Sequence, residues 1–255
     1  MSESNKLTIL IEGNSGAGKT SSFANLQNQE GVLFLNCEGK ELPYRHRFCE
    51  YKIQDPYHVT AALNKLLKGE QFKHPVTGEL VSIHTVVLDS FTFLMDMYEA
   101  MYIRNSADSR AAWGEYGNFI RELLMDKVAK LTLPFVSTTH VVINDDMESM
   151  EKVSRAAIKG SVGKGNGLES FFTTVVYAKQ MRLRDIEPYL DQATLLNLTE
   201  DEQFDEKKHV FVTRPAKQHS GDRIKSPRGM FSVHDLYMDN DVNLLINHIN
   251  NFYKA

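Results

Sequence analysis

Apolar residues along the chain gather in short blocks that end on polar or glycine positions. The first, LTILIE (7–12), stops at Gly13, as a strand buried on both faces would. GVLFLNCE (31–38), HTVVLDSF (84–91) and LPFVSTTHVV (133–142) repeat the pattern. Between them, apolar spacing of three and four residues predicts helices: a short one from Lys19 to about Gln27, then 56–68 with Pro56 in its first turn, 91–104 and 113–131. KHPVTGELVS (73–82) reads as a turn or hairpin, and residues 143–168, polar and Gly-rich, as a mobile loop. FTTVVYAK (172–179) and HVFVTRPAK (209–217) are further strands. The stretch 214–229 reads as a strand, a tight polar turn and another strand, and the tail closes with a helix, NLLINHINNFY. Strands alternating with helices argue for an α/β fold, a mainly parallel sheet covered on both faces. With no repeat and no interdomain linker, the expectation is one domain over 1–255, its core at about 7–180 and C-terminal strands and helix at 205–255.

Composition adds little: 42% hydrophobic and 24% charged residues are those of an ordinary soluble globule. Cys37 and Cys49 are too few for a disulfide framework, which favours a reducing compartment. No apolar run reaches the length of a membrane span, and the first residues lack a signal-peptide pattern, so the expected location is cytoplasmic. Charge changes the picture more. Although the net charge is −4, seven Lys/Arg stand against one acid in 152–184, and seven against one in 207–228. Between them, 185–206 holds eight acids and no base. The basic segments read either as a footprint for a polyanion or as an unevenly charged solvated surface.

The octapeptide GNSGAGKT fits the phosphate-loop pattern G-x-x-x-x-G-K-[ST]. Gly13, Asn14, Ser15, Gly16, Ala17 and Gly18 would turn backbone amides toward phosphate oxygens. Lys19 would supply a cation, Thr20 a hydroxyl for Mg²⁺, and Ser21 the start of the following helix. A chance match somewhere in the chain is on the order of one in a hundred, and the setting between an apolar strand and a helix sharpens it. The nucleotide expected is ATP.

Asp89 ends a buried strand, where a phosphate-loop protein holds the water shell of Mg²⁺. Glu38 ends the strand that follows the loop, placed to polarise a water attacking the γ-phosphate; the plainer alternative is a surface residue opening EGKELP. His140, ending VSTTH, would contact the γ-phosphate, or else simply cap its strand.

In this order, GNSGAGKT, FLNCE, VVLDS and STTH resemble the RecA-type ATPase core over roughly residues 7–180. The compact form resembles phage-encoded RecA-like nucleotide-binding proteins of single-strand annealing and recombination, with His140 where RecA carries a sensor Gln. The resemblance implies a RecA-like P-loop NTPase fold and Mg²⁺-dependent, DNA-stimulated ATP hydrolysis with Lys19, Glu38 and His140 as catalytic groups. It also implies a homo-oligomer, ring or filament, acting on single-stranded DNA in the cytoplasm of a host, with a single-strand-binding protein as a further partner. DNA would meet the loop after the sensor strand, through Lys152, Arg155, Lys159 and Lys164. Lys217, Arg223 and Lys225 would reach a neighbour's ATP site in trans. Two other classes stay open: a small-molecule phosphotransferase, and a non-catalytic nucleotide switch or loader.

Overall fold

A computed structural model describes residues 7–146, 151–160 and 167–254. Its strands in chain order begin with β1 (Thr8–Glu12), β2 (Val32–Asn36) and β3 (Cys49–Lys52), then a small pair, β4 (Phe72–Lys73) and β5 (Leu80–Val81). β6 (Thr85–Asp89) and β7 (Phe135–Thr139) follow, then β8 (Val141–Asp146) and β9 (Glu151–Ala156). Last come β10 (Thr174–Arg182), β11 (Lys207–Val212) and β12 (Tyr237–Asp239). Eight of them form one sheet in the order β12-β11-β10-β1-β7-β6-β2-β3. Every pair from β10 across to β3 is parallel, while β11 and β12 are antiparallel additions at one edge.

Side-chain alternation explains why the central strands read as unbroken apolar runs. Leu10, Leu35, Leu88 and Phe135 face a layer made by helices α1 (Pro56–Leu67), α2 (Phe91–Tyr98) and α3 (Ser109–Arg121). Their neighbours Ile9, Phe34, Val87 and Val136 face the other side, against Phe23 and the C-terminal helix α6 (Val242–Lys254). Each strand therefore supplies two cores, and its polar residues sit mostly toward its ends. Helix α1 starts as its sequence suggests, with Pro56 in the first turn and Asp55 accepting the Tyr57 amide at 2.8 Å.

Three expectations need correction. The helix at 19–27 is a single 3₁₀ turn, Thr20–Phe23. Ser22 Oγ donates to the Lys19 carbonyl at 2.6 Å, an alternative to the helical ladder, and Asn28 lies at φ 48°. The stretch 143–168 is not all loop: β8 and β9 pair as an antiparallel ladder from Val141 opposite Ala156 to Asp146 opposite Glu151. The β-branched residues Val141, Val142, Ile143 and Val153 favour strand there despite the polar composition. Residues 214–229 form no hairpin, because Pro215 and Pro227 withhold donors from a ladder. They make one turn, Lys217–His219, and bridge to Ser154 and Val175, so β11 takes β12 as its hairpin partner. The acidic stretch 185–206 carries α4 (Leu183–Leu190) and α5 (Glu200–Asp205), the latter opened by a Thr199/Glu202 capping box. Strands β3 and β12 are also new; both are short edge strands, and the CEYK of β3 has little apolar signal.

Candidate nucleotide site

Because β1, β2, β6 and β7 run parallel, their C-terminal ends open on one edge of the sheet. Gly13–Thr20 follows β1, Glu38 lies two residues past β2, Asp89 ends β6, and His140 directly follows β7. A cleft of about 310 Å³ lies there, with Lys19, Thr20 and Ser21 on one side and Glu38 and His140 among the residues across from them. Gly13 has to be glycine, since a Cβ would come within 2.7 Å of the Ala178 carbonyl on β10. Gly18 sits at φ +88°, in the left-handed region that favours glycine.

Lys19 is only 7% exposed. Its amine donates to the Gly13 and Asn14 carbonyls, both at 2.8 Å, and lies 3.4 Å from His140 Nδ1. Burial pulls its pKa down to about 8, against the pull of the Asp89 and Glu38 carboxylates. Asp89 is buried beneath the loop; Thr20 donates to Oδ2 at 2.9 Å and Thr138 donates to Oδ1. Burial raises its pKa, and the two hydroxyls oppose the rise. For His140, burial and then the neighbouring Lys19 charge lower the pKa. The His140 amide is pinned by Thr92 Oγ1 on α2 at 2.9 Å, and its carbonyl accepts the Ala157 amide at 2.7 Å. The β8–β9 hairpin therefore leaves from and returns to His140.

The matching span of a family model described as AAA domain is residues 5–223. The chain belongs to the AAA domain family. It is a P-loop NTPase, a class that binds and hydrolyses nucleotides. Among curated proteins, none matches the chain. No helix among the described residues is long and apolar enough to cross a membrane.

Four further residues reach this edge of the AAA domain. Lys40 and Phe93 line the cleft, the Lys40 amine 5.7 Å from the Phe93 ring centre. His209, on β11, and Asn240, just past β12, bind loop carbonyls. Phe93, in the first turn after Asp89, was findable from the Asp-Ser ending of β6; the other three depend on tertiary placement.

The residues assigned from sequence to DNA and to trans contacts are more scattered in the AAA domain. Lys152 and Arg155 are exposed on β9, with Lys152 opposite Asp145 in the ladder. Lys159 is held within the chain by Asp96, at 2.6 Å, and by Glu99, so its charge is already matched. Lys164 lies outside the described residues. Arg223 faces buried Glu169 at 4.0 Å, and the Lys225 amine donates to the Phe172 carbonyl at 2.7 Å, whereas Lys217 is exposed. Arg223 and Lys225 thus have work inside their own subunit.

Proposed function

We propose that this edge hydrolyses ATP with Mg²⁺, and that the assembled protein acts on single-stranded DNA in recombination or single-strand annealing. The observation that carries hydrolysis is Glu38: besides buried Asp89, it is the carboxylate brought to the cleft opposite Lys19 and Thr20. Its role is to accept a proton from the attacking water, while Lys19 holds the phosphates. Thr20 and Asp89 offer hard oxygen donors suited to Mg²⁺. Among the described residues no cluster of three or more His, Cys, Asp or Glu could hold a metal alone, so phosphate oxygens and water would complete its shell. Bound there, Mg²⁺ would neutralise charge developing on the phosphates. Glu38→Gln is expected to bind ATP with the parent's affinity while single-turnover hydrolysis falls on the order of a hundredfold or more. Hydrolysis by Glu38→Gln at the parent rate would remove Glu38 as the base and reopen the switch reading.

The DNA part of the proposal is supported by an arrangement of charge. The two basic stretches, far apart in sequence, run side by side: the Ser154 amide donates to the Gly221 carbonyl at 2.7 Å, and Val175 bridges Lys225. A chain of net charge −4 can attract a polyanion only by such gathering. Replacing Lys152 and Arg155 together by Ala should weaken binding of a single-stranded oligonucleotide and flatten its salt dependence, with ATP affinity retained. Parent-like binding across a salt titration would sink the assignment and leave the ATPase site standing.

A further inference from the structure

The phosphate loop is held from outside as well as from within. Lys19 takes the Gly13 and Asn14 carbonyls. The next outward-turned carbonyls are taken by the C-terminal strand pair: His209 Nε2 lies 3.2 Å from the Gly16 oxygen, and Asn240 Nδ2 donates to the Gly18 oxygen at 2.8 Å. With a carbonyl as its partner, His209 Nε2 must carry the hydrogen. Each gripped carbonyl shares its peptide plane with the next residue's amide. The Ser15 and Lys19 amides, in the planes of the Asn14 and Gly18 carbonyls, donate to none of the described residues, while the Ala17 amide, in the plane of the Gly16 carbonyl, donates to the Asn14 carbonyl at 3.2 Å. A peptide plane points its N–H opposite to its C=O, so gripping the Gly18 carbonyl from behind aims the Lys19 amide forward, and gripping the Gly16 carbonyl holds the Ala17 amide in the turn that shapes the loop.

Asn240 shows what the grip is for. Among the described residues its buried Oδ1 has no donor, so the Gly18 carbonyl is the one hydrogen-bond partner they give the amide group. The position is braced by Asp241, whose side chain accepts from Asn25, just past the loop's 3₁₀ turn, at 2.9 Å. Asn240 lies beyond the 5–223 span shared with the family, and His209 reaches the loop from an antiparallel strand added at the sheet's edge.

We propose that His209 and Asn240 are positioning residues of the nucleotide site: Asn240 fixes the Gly18 peptide plane so that the Lys19 amide meets the phosphates, and His209 fixes the Gly16 plane so that the loop keeps the turn that presents its free amides. This rests on the ATP site described above. An amide that holds phosphate equally before and during reaction contributes uniform binding, so its misplacement raises KM and spares kcat. The test uses the full-length protein with ATP and magnesium chloride, measuring steady-state hydrolysis, binding of a fluorescent ATP analogue and thermal unfolding. His209→Leu, which has no donor, should raise KM and the analogue Kd about tenfold or more with kcat within about twofold, while His209→Gln, which keeps an N–H, should stay near the parent. Asn240→Asp, which sets a carboxylate against the Gly18 carbonyl, should act as His209→Leu does. The His209 pair keeps the inference decidable if Asn240→Asp fails to fold. Equal KM for His209→Leu and His209→Gln, or a fall in kcat at unchanged KM, would overturn it. Lys19→Ala separates the two claims: if it binds ATP as the parent does, the site itself is misassigned, and if it loses ATP while His209→Leu behaves as parent, only the clamp fails.

Discussion

Two acids end neighbouring parts of the parallel sheet and meet opposite fates. Asp89 closes β6 and Glu12 closes β1, with β7 between them, and they are 3% and 0% exposed. Asp89 accepts hydroxyl hydrogens at both oxygens, from Thr20 and Thr138. Neither oxygen of Glu12 has a hydrogen-bond partner among the described residues, and its charged neighbours are two acids, Glu169 and Asp222, against one base, Arg223. Burial raises the pKa of both, but Glu12, with no donor and with the Glu169 charge adding to desolvation, is pushed up to about 9. The same position at a strand's end thus serves two purposes. Hydroxyl donors favour the charged form of Asp89 against its burial, and their absence leaves Glu12 a neutral acid at ordinary pH.

That contrast breaks most visibly in the pH dependence of stability. Glu12 binds its proton more tightly folded than unfolded, so its contribution is fully present below the ordinary carboxyl range and is lost as pH rises toward 9. Over that window the parent should lose about 1.4 kcal/mol per pH unit from this group. Glu12→Gln, of the same shape and permanently neutral, should remove that slope and be the more stable protein by a few kcal/mol at pH 8. Urea titrations between pH 5 and 9 would show it. Parallel slopes for parent and variant would mean that Glu12 is ionised in the folded protein and has found a partner.

Sequence reasoning recovers the Asp89 side of this comparison and misses the Glu12 side, for a physical reason. Lys19, Glu38, Asp89 and His140 each follow an apolar run, and parallel strands must deliver such ends to one edge, so local pattern suffices to bring them together. Glu12 also ends such a run, yet its chemistry comes from Glu169, Asp222 and Arg223, more than 150 residues away. The same limit hides His209 and Asn240, which reach the loop only because β11 and β12 add antiparallel to β10. Lys159 read as a DNA-facing cation because Asp96 and Glu99, its partners, belong to a different element. Composition likewise hid the β8–β9 pairing, of which the β-branched run Val141-Val142-Ile143 was the one local signal.

Removing one donor from the well-served acid gives a smaller effect that sharpens the comparison. Thr138 is fully buried in β7, so Thr138→Val keeps shape and burial and deletes only the hydroxyl facing Asp89 Oδ1. A buried carboxylate oxygen left without its donor costs about 1–3 kcal/mol. Thr20 still serves Oδ2, so the carboxylate should not swing away, and the loss should sit at the lower end of that range. Thr138→Ser, which restores a hydroxyl, should recover most of the lost hydrogen bond at the smaller expense of a missing methyl. Chemical denaturation near pH 7 in the presence of a chelator reads both variants without Mg²⁺ contributing to stability. If Thr138→Val and Thr138→Ser lose the same free energy, the packing of the methyl group rather than the hydroxyl donor supports Asp89, and the distinction drawn between Asp89 and Glu12 would have to rest on Thr20 alone.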